Sequence, residues 1–538
     1  MRAQSTRLPT QQLGCGGNGG TLEPYAVATE DTRWRCVQAD DSQAAPCDRR
    51  VLARDGIALA FVLAAAIVAY RPLLDLGHLG WDTYPLILTS RITSVADFFD
   101  SFRKELMDGR YPHGHFYRPV TTLSFALDHA AFGLDAFGYH LDQLGLLLAC
   151  TLGVAALGHR LLGPGVGTLA AALVFALHPL QVETLPVAAR RADSLAQLFT
   201  LLALVVAPTQ QARAAAWRTG LCALCAALAI GSKESGVTLV PLLFALQFAE
   251  SGAPSWRERV RAALRASALP ALGVGLVLLV RAGVLGGLGG HPESSLLAGV
   301  GRGLALAPLY AHLLFMPQPL VSEPALARSL VGAAAAALAA ALLFSASHRR
   351  VRSLLVVCGV WFLTTLWLNG IAGEVASWYA LGLLPPFALG VGALAQAAAR
   401  WAREGRRMRA VLGAVLASLL IAQALRYTPL IHSYPEWPLV SSRSRAFLER
   451  AREAASGATP GDVRSVPGLP LGLATPLERV GVRSAIGLAD YSVEAWAELS
   501  LPAPRLVVVL GDGSRRSAPR PDAVVIDTTP DLAQDSLR

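Results

Sequence analysis

Residues 166–183 read VGTLAAALVFALHPLQVE, and residues 190–208 read RRADSLAQLFTLLALVVAP. In both stretches a nearly uninterrupted apolar block meets a short polar segment. Blocks of this kind recur from Val51 to Tyr427, whereas residues 1–50 and 430–538 are ordinarily polar. Because about 20 apolar residues span a bilayer, the sequence predicts a polytopic α-helical membrane protein.

The composition supports this class. Hydrophobic residues make up 53% of the 538 residues and charged residues only 16%, whereas soluble domains carry about 25% charged residues. The net charge of +9 does not indicate nucleic-acid binding, because the arginines lie in short loops between apolar blocks. Membrane topology accounts for arginine in such loops, so no nucleic-acid partner is expected.

Eleven spans are predicted, and the arginine-rich loops fix their direction. The N-terminus and these loops face the cytoplasm if the segment 300–318 does not cross, so we interpret it as a re-entrant or interfacial helix on the outer face. Arginine supplies all but two of the 47 basic residues, which indicates a GC-rich bacterial genome and hence the cytoplasmic membrane. The predicted spans lie near 55–74, 139–158, 166–181, 193–208, 214–231, 236–250, 267–285, 329–346, 353–372, 377–398 and 409–426.

Three regions follow from this topology. Residues 1–50 are predicted to be disordered, and residues 51–428 form the transmembrane domain, whose first outer loop is 75–138 with an apolar helix at about 119–133. Residues 429–538 are predicted to form a small extracytoplasmic α/β domain. Its helix is expected at 441–456 and its strands at 505–510 and 523–527.

Charged residues next to apolar blocks gather on the predicted outer face. An ionisable side chain costs up to about 3 kcal/mol at mid-span, so such residues mark either function or the interface. Trp81-Asp82 follows the first span, either as a solvated loop acid or as a general base. Tyr117-Arg118 precedes an apolar helix, either as an interfacial anchor or as a phosphate-binding pair.

A third group begins at the stretch quoted first. His178 and Glu183 flank the short helix that Pro179 begins, and Arg191 and Asp193 open the next apolar block. Four titratable groups within sixteen residues exceed what solubility alone requires.

The fourth group is Lys233-Glu234. It interrupts the apolar run 214–250, which is too long for one span, and Lys233 is one of only two lysines in the chain. The pair is either a plain turn between antiparallel helices or part of a site. Together the four groups provide acids, an imidazole and cations on one face. A hydroxyl acceptor requires a base and a departing lipid phosphate requires positive charge, so the set suits transfer from a lipid-phosphate donor.

Several segments resemble a known family. FYRPVTTLSFALDHAAFGLDAFGYHL (116–141), AALVFALHPLQVETL (171–185), RRADSLAQLFTLLAL (190–204) and GSKESGVTLVPLLF (231–244) resemble the membrane O-mannosyltransferase-like proteins of the GT-C superfamily. The branch whose eukaryotic members carry tetratricopeptide repeats is the most similar, although such repeats are absent here. The segment 373–392 resembles a further motif with Val375 in place of an arginine, and Glu374 and Tyr379 are carried over from it.

The resemblance implies a polyprenyl-phosphate-linked sugar donor, a protein or glycan hydroxyl as acceptor and an active site at the extracytoplasmic face. It assigns the catalytic role to Asp82. A divalent cation stays open there, since Thr83 replaces the second acidic residue that the family often has. The remaining expected site residues bind the donor phosphate or shape the pocket: Arg118, His178, Glu183, Arg191, Asp193, Lys233 and Glu234, with Tyr117 beside them.

Two other functions stay open at this point. A transporter or lipid flippase is possible, but such proteins usually contain internal repeats and mid-membrane charges, and neither is evident. The other is a catalytically inactive relative that acts as an assembly protein, an interpretation that the altered segment around Glu374 keeps open.

Overall fold

The computed structural model describes residues 49–111, 114–208, 215–291, 297–315, 339–340, 349–372, 376–473, 485–501, 505–509 and 523–528. Helices dominate this part of the chain, and the strands lie near its C-terminus. The α-helices are α1 Arg49–Tyr70, α2 Thr83–Thr89, α3 Val95–Asp100, α4 Pro119–Phe132, α5 Ala136–Leu162, α6 Val166–Leu177, α7 Arg191–Val206, α8 Ala215–Ser232, α9 Leu239–Glu250, α10 Trp256–Leu285, α11 Gly299–Phe315, α12 Arg349–Ala372, α13 Leu384–Arg403, α14 Arg407–Leu425, α15 Glu436–Ala455 and α16 Asp490–Ser500. Short 3₁₀ helices occupy Arg71–Asp75, Leu106–Gly109, Pro179–Glu183, Ala188–Arg190, Glu234–Thr238 and Ser377–Leu383.

Seven helical segments within the described ranges are long and apolar enough to cross a membrane. Their exposed surface is apolar too: Leu272, Leu276 and Leu279 of α10 are 57%, 55% and 71% exposed, as expected of a lipid-facing surface. The chain is therefore a mainly α-helical, multi-pass membrane protein, as predicted. The seven segments are Ala53–Asp75, Ala136–Leu162, Val166–Glu183, Trp256–Leu285, Arg350–Ala372, Ser377–Arg403 and Arg407–Leu425.

The count of eleven spans is not confirmed. Helices form at three further predicted spans, but α7, α8 and α9 have only 16, 18 and 12 residues. The turn at Lys233 and the 3₁₀ helix Glu234–Thr238 separate α8 from α9 and shorten both. Nearly all of the predicted span 329–346 lies outside the described residues.

Helix α11 covers residues 300–315 of the segment 300–318, and residues 316–318 lie outside the described residues. Its first residue, Gly299, lies against Ile371 at the C-terminal end of α12. Near its other end the Leu314 carbonyl contacts His178 Nε2 at 3.0 Å, where α6 ends. Gly303 lies against Leu366 as Gly299 does against Ile371, so α11 packs beside α12. That the segment 300–318 does not cross stays a prediction.

The bundle packs closely where α6 crosses α13. A Cβ atom on Gly392 would collide with the carbonyl oxygen of Gly167, and one on Gly167 would lie 2.5 Å from the carbonyl oxygen of Gly392. Small residues let two helix backbones approach in this way. The contact fixes α13 against α6, whose C-terminal end leads into the site.

The C-terminal part forms a small α/β unit. The strands β1 Val463–Ser465, β5 Ala523–Asp527 and β4 Arg505–Val509 form a parallel sheet in the order β1-β5-β4. A second pair, β2 Gly472–Leu473 and β3 Ala485–Ile486, is antiparallel. Helices α15 and α16 cover a core that includes Phe447, Trp496 and Ile526.

The sequence located these elements well. Strands β4 and β5 match the predictions to within one residue, and α15 begins five residues before the predicted 441 because Pro435 starts its first turn. The boundary at 428 stays a prediction.

Candidate active site

Asp82 lies at the start of α2, in a turn whose shape is fixed. Gly80 has a φ of +94°, and a Cβ atom there would collide with Val187, so the close approach requires glycine. Thr83 Oγ1 donates to the Leu79 carbonyl at 2.5 Å and closes the turn. The Asp82 carboxylate accepts a hydrogen bond from the Tyr491 hydroxyl at 2.7 Å.

His178 holds the end of α6. It has no exposed surface, its Nδ1 accepts from the Leu180 amide at 3.2 Å, and its Nε2 lies 3.0 Å from the Leu314 carbonyl. Because a carbonyl can only accept, Nε2 carries the proton and the imidazole is neutral. The backbone uses both ring nitrogens, so His178 shapes the turn around Pro179.

Glu183 and Arg190 form the centre of the site. Arg190 Nη1 donates to the Glu183 carboxylate at 3.1 Å and to its carbonyl, and the Ser377 hydroxyl donates to the same carboxylate at 3.0 Å. The Arg190 guanidinium lies 3.9 Å above the ring of Trp378. Its Nη2 is buried and has no hydrogen-bond partner among the described residues. Arg190 therefore has an N–H donor that makes no hydrogen bond within the described part of the protein, as expected of an anion-binding group.

Arg190 interacts electrostatically with two further acids besides Glu183. The guanidinium interacts with Asp193 and with Asp82, as well as with Glu183. Gly80 packs against Val187, so the turn that carries Asp82 lies beside the segment 183–193.

Lys233 and Asp193 form the next pair. Lys233 Nζ lies 2.6 and 2.7 Å from the two carboxylate oxygens of Asp193 and 5.0 Å from the ring centroid of Tyr379. Burial lowers the pKa of Lys233, and the Asp193 carboxylate opposes that shift. Lys233 thus contacts an acid and an aromatic face at once.

Glu234 binds two arginines. Arg118 reaches its carboxylate at 2.7 and 3.1 Å, and Arg281 reaches it at 2.6 Å. Burial raises the pKa of Glu234, but the guanidinium groups of Arg118 and Arg281 outweigh burial and hold that pKa far below its usual range. Arg118 also interacts electrostatically with Asp193 and Tyr379.

These pairs form one charged network, which we define by its acids Asp82, Glu183, Asp193 and Glu234 and its cations Arg118, Arg190, Lys233 and Arg281. Tyr117 borders it without joining it: its hydroxyl donates to the Phe102 carbonyl at 3.0 Å. Glu374 lies outside the described residues. The described ranges contain no group of three His, Cys, Asp or Glu side chains that could hold a metal ion.

Arg191 is separate from the network. Its side chain has no exposed surface and is bonded to Asp128, with Asp142 at 3.3 Å and the Phe125 ring below it. The adjacent arginines 190 and 191 thus have different contacts. Arg191 links α4 and α5, and Arg190 lies in the charged network. This placement favours Arg190 over Arg191 as a phosphate-binding residue.

Sequence reasoning overlooked three residues here. Arg190 was overlooked because two adjacent arginines cannot be told apart without the direction of each side chain. Arg281 carried a usable signal, because a cation within the apolar stretch 266–285 requires a partner. Tyr491 carried none, because it lies 409 residues from Asp82.

The fold and the network define a multi-pass membrane protein with a buried charged site where its helices end. No family model matches the chain. Among curated proteins it resembles the protein O-mannosyl-transferase TMTC2 of Mus musculus, with 38% identity over 151 residues, 27% of this chain and 18% of that protein. It also resembles the protein O-mannosyl-transferase Tmtc1 of Drosophila melanogaster, with 31% identity over 155 residues, 28% of this chain and 18% of that protein. The chain thus matches about a fifth of the length of these relatives, and the predicted resemblance is confirmed.

Two solved structures are also similar. ArnT from Cupriavidus metallidurans bound to undecaprenyl phosphate is 12% identical with a TM-score of 0.48, covering 87% of this chain and 89% of that chain. The oligosaccharyltransferase AglB from Archaeoglobus fulgidus in complex with an inhibitory peptide and a dolichol-phosphate is 12% identical with a TM-score of 0.41. That match covers 73% of this chain and 58% of AglB.

Proposed function

We propose that this protein is a membrane glycosyltransferase that moves a mannose-like sugar from a polyprenyl-phosphate donor to a hydroxyl of a protein or glycan. The observation that carries this proposal is the contact between the turn of Asp82 and the segment of Arg190, where Gly80 packs against Val187. It brings together a carboxylate that can act as a base and a guanidinium with an unused donor. Base and cation on opposite sides of a sugar are what such a transfer requires.

The proposed reaction has one bond-making and one bond-breaking event. The acceptor hydroxyl gives its proton to the Asp82 carboxylate while its oxygen bonds to C1 of the sugar. The bond from C1 to the phosphate oxygen breaks, and polyprenyl phosphate leaves with the electron pair. Arg190 Nη2 and Lys233 Nζ stabilise the charge that develops on this leaving group. Asp82 then releases its proton to water.

The other members of the network support these groups. Glu183 and Trp378 hold the guanidinium of Arg190 in one plane. Asp193 and Tyr379 hold Lys233 until the phosphate arrives. Arg118 and Arg281 keep Glu234 ionised, so that it balances the positive charge of the layer. We include no divalent cation in this scheme.

The relatives support the same class, since the curated matches are named protein O-mannosyl-transferases. We place the reaction at the extracytoplasmic face of a bacterial cytoplasmic membrane, because the arginine-rich loops then face the cytoplasm. A transporter would keep its charges near mid-membrane, whereas this network lies at helix ends.

Purified protein in nanodiscs, given radiolabelled polyprenyl-phosphate mannose and a serine- and threonine-rich peptide, tests the proposal. A labelled peptide whose formation depends on protein concentration supports it. Flipping of the donor in proteoliposomes without any labelled product would indicate a flippase. An inactive assembly protein would do neither.

A further inference from the structure

The C-terminal α/β unit binds the loop that carries Asp82. The Gly80 amide donates to the Gly487 carbonyl at 3.0 Å, and Trp81 Nε1 donates to the Leu471 carbonyl at 2.9 Å. Ser492 Oγ donates to the Trp81 carbonyl. Three consecutive residues of the loop, 80 to 82, are thus each bonded to the C-terminal unit.

A bidentate ion pair and shared packing hold this contact in place. Arg110 Nη1 and Nη2 each lie 2.9 Å from a carboxylate oxygen of Glu498 in α16. Tyr84, on the helix that Asp82 begins, packs into the core of the C-terminal unit. The position of Asp82 therefore depends on α16.

From these contacts we infer that Tyr491 is a positioning residue for the catalytic carboxylate, and that the C-terminal unit is part of the active site. The inference rests on the proposed function, since it gives Asp82 the role of base. The Tyr491 hydroxyl donates to Asp82 Oδ1 at 2.7 Å, within the range for a bond to an ionised acceptor. Such a bond fixes the carboxylate rotamer and favours the ionised form at neutral pH.

The surroundings of this hydroxyl keep it protonated. Burial and the Asp82 carboxylate raise the pKa of Tyr491 far above its ordinary value, and Tyr111 and Asp490 add to the shift. Tyr491 is therefore a hydrogen-bond donor at every pH at which the protein would work. The Asp82 carboxylate also interacts electrostatically with the Arg190 guanidinium.

The test is the pH dependence of kcat in the transfer assay, with Tyr491→Phe compared with the wild type. Loss of the donor raises the pKa of Asp82, so the acid limb of the profile should move up by about one pH unit. The plateau kcat should fall about ten- to a hundredfold because the base is no longer held in place. The KM for the donor should stay within about twofold, because the phosphate-binding cations are unchanged.

A matched control is Tyr139→Phe. Tyr139 is also buried and donates its hydroxyl bond to a backbone carbonyl, that of Gly133, at 3.0 Å. This variant should keep the wild-type pH profile. If Tyr491→Phe lost activity without moving the acid limb, its role would be merely structural and the inference would fail.

A second variant serves if Tyr491→Phe does not fold. Genetic incorporation of 3,5-difluorotyrosine at position 491 keeps the shape and makes the hydroxyl a stronger donor. The acid limb should then move down, and an unchanged limb would refute the inference. The Asp82→Asn variant distinguishes failure of the inference from failure of the proposed function. Full activity of Asp82→Asn would refute the proposed function. An inactive Asp82→Asn together with a wild-type pH profile for Tyr491→Phe would refute only the role of Tyr491.

Discussion

Neighbouring arginines at positions 190 and 191 have opposite environments. Arg191 is fully buried and bonded to Asp128, whereas Arg190 stacks on Trp378 and has an unpartnered Nη2. Arg191 Nε also makes no hydrogen bond among the described residues, but it lies 3.3 Å from the Asp142 carboxylate. We assign Arg191 to the fold because its two acids join α4 and α5, and Arg190 to the charged network because it contacts Glu183 and Trp378.

Arg190→Lys should therefore weaken donor binding while the charge is kept. A lysine has no planar fork and cannot reproduce both the bond to Glu183 and the stack on Trp378. We expect the KM for the polyprenyl-phosphate donor to rise about tenfold, measured as initial rates over a range of donor concentrations.

The control for this variant is Arg218→Lys. Arg218 also lies over a tryptophan, Trp217, with 5.7 Å from Cζ to the ring centroid, and it is not a member of the charged network. It should leave the KM unchanged. Equal effects of both variants would show that the response of Arg190→Lys is not specific to the site.

At the scale of helices, the contact between α6 and α13 fixes the position of α6 in the bundle. Gly167 and Gly392 bring the two backbones together, and the site begins at His178 immediately after α6. The sequence predicted both helices from their apolar runs. It did not predict their contact, because a run of alanine, glycine and leucine does not specify which face meets which neighbour.

Gly392→Val should destabilise the protein by about 1–3 kcal/mol, because added atoms in a close-packed contact force the helices apart. Thermal unfolding in detergent, followed by tryptophan fluorescence, should show a lower Tm. Gly390→Val is the matched control on the same helix, since a Cβ atom at Gly390 would have no neighbour within 4 Å. A Tm for Gly392→Val equal to that of this control would contradict the packing argument.

At the scale of the whole molecule, three distant parts of the chain build the site. The loop of Asp82, the helix ends of residues 183–234 and α16 with Tyr491 contribute to it. The sequence predicted the first two, because charges next to apolar blocks are visible in a linear chain. The contribution of α16 was not predictable, since nothing in a polar C-terminal sequence indicates which membrane loop it packs against.

This arrangement requires the C-terminal unit and Asp82 to lie on the same side of the membrane. In a background without other cysteines, Thr459→Cys should react with a membrane-impermeant maleimide in intact spheroplasts. Glu404→Cys, in the arginine-rich turn between α13 and α14, should react only after permeabilisation. The reverse pattern would contradict the extracytoplasmic orientation of the site.

The most direct test of the whole account is the rate of sugar transfer by purified Asp82→Asn. Loss of a general base typically costs 10²- to 10⁴-fold, so we expect a kcat at least about 100-fold below that of the wild type with unchanged thermal stability. Asp75→Asn is the control, because Asp75 is an exposed acid a few residues earlier whose partner is Arg71, and it should retain the wild-type rate. Transfer by Asp82→Asn at the wild-type rate would contradict the assignment of Asp82 as the base.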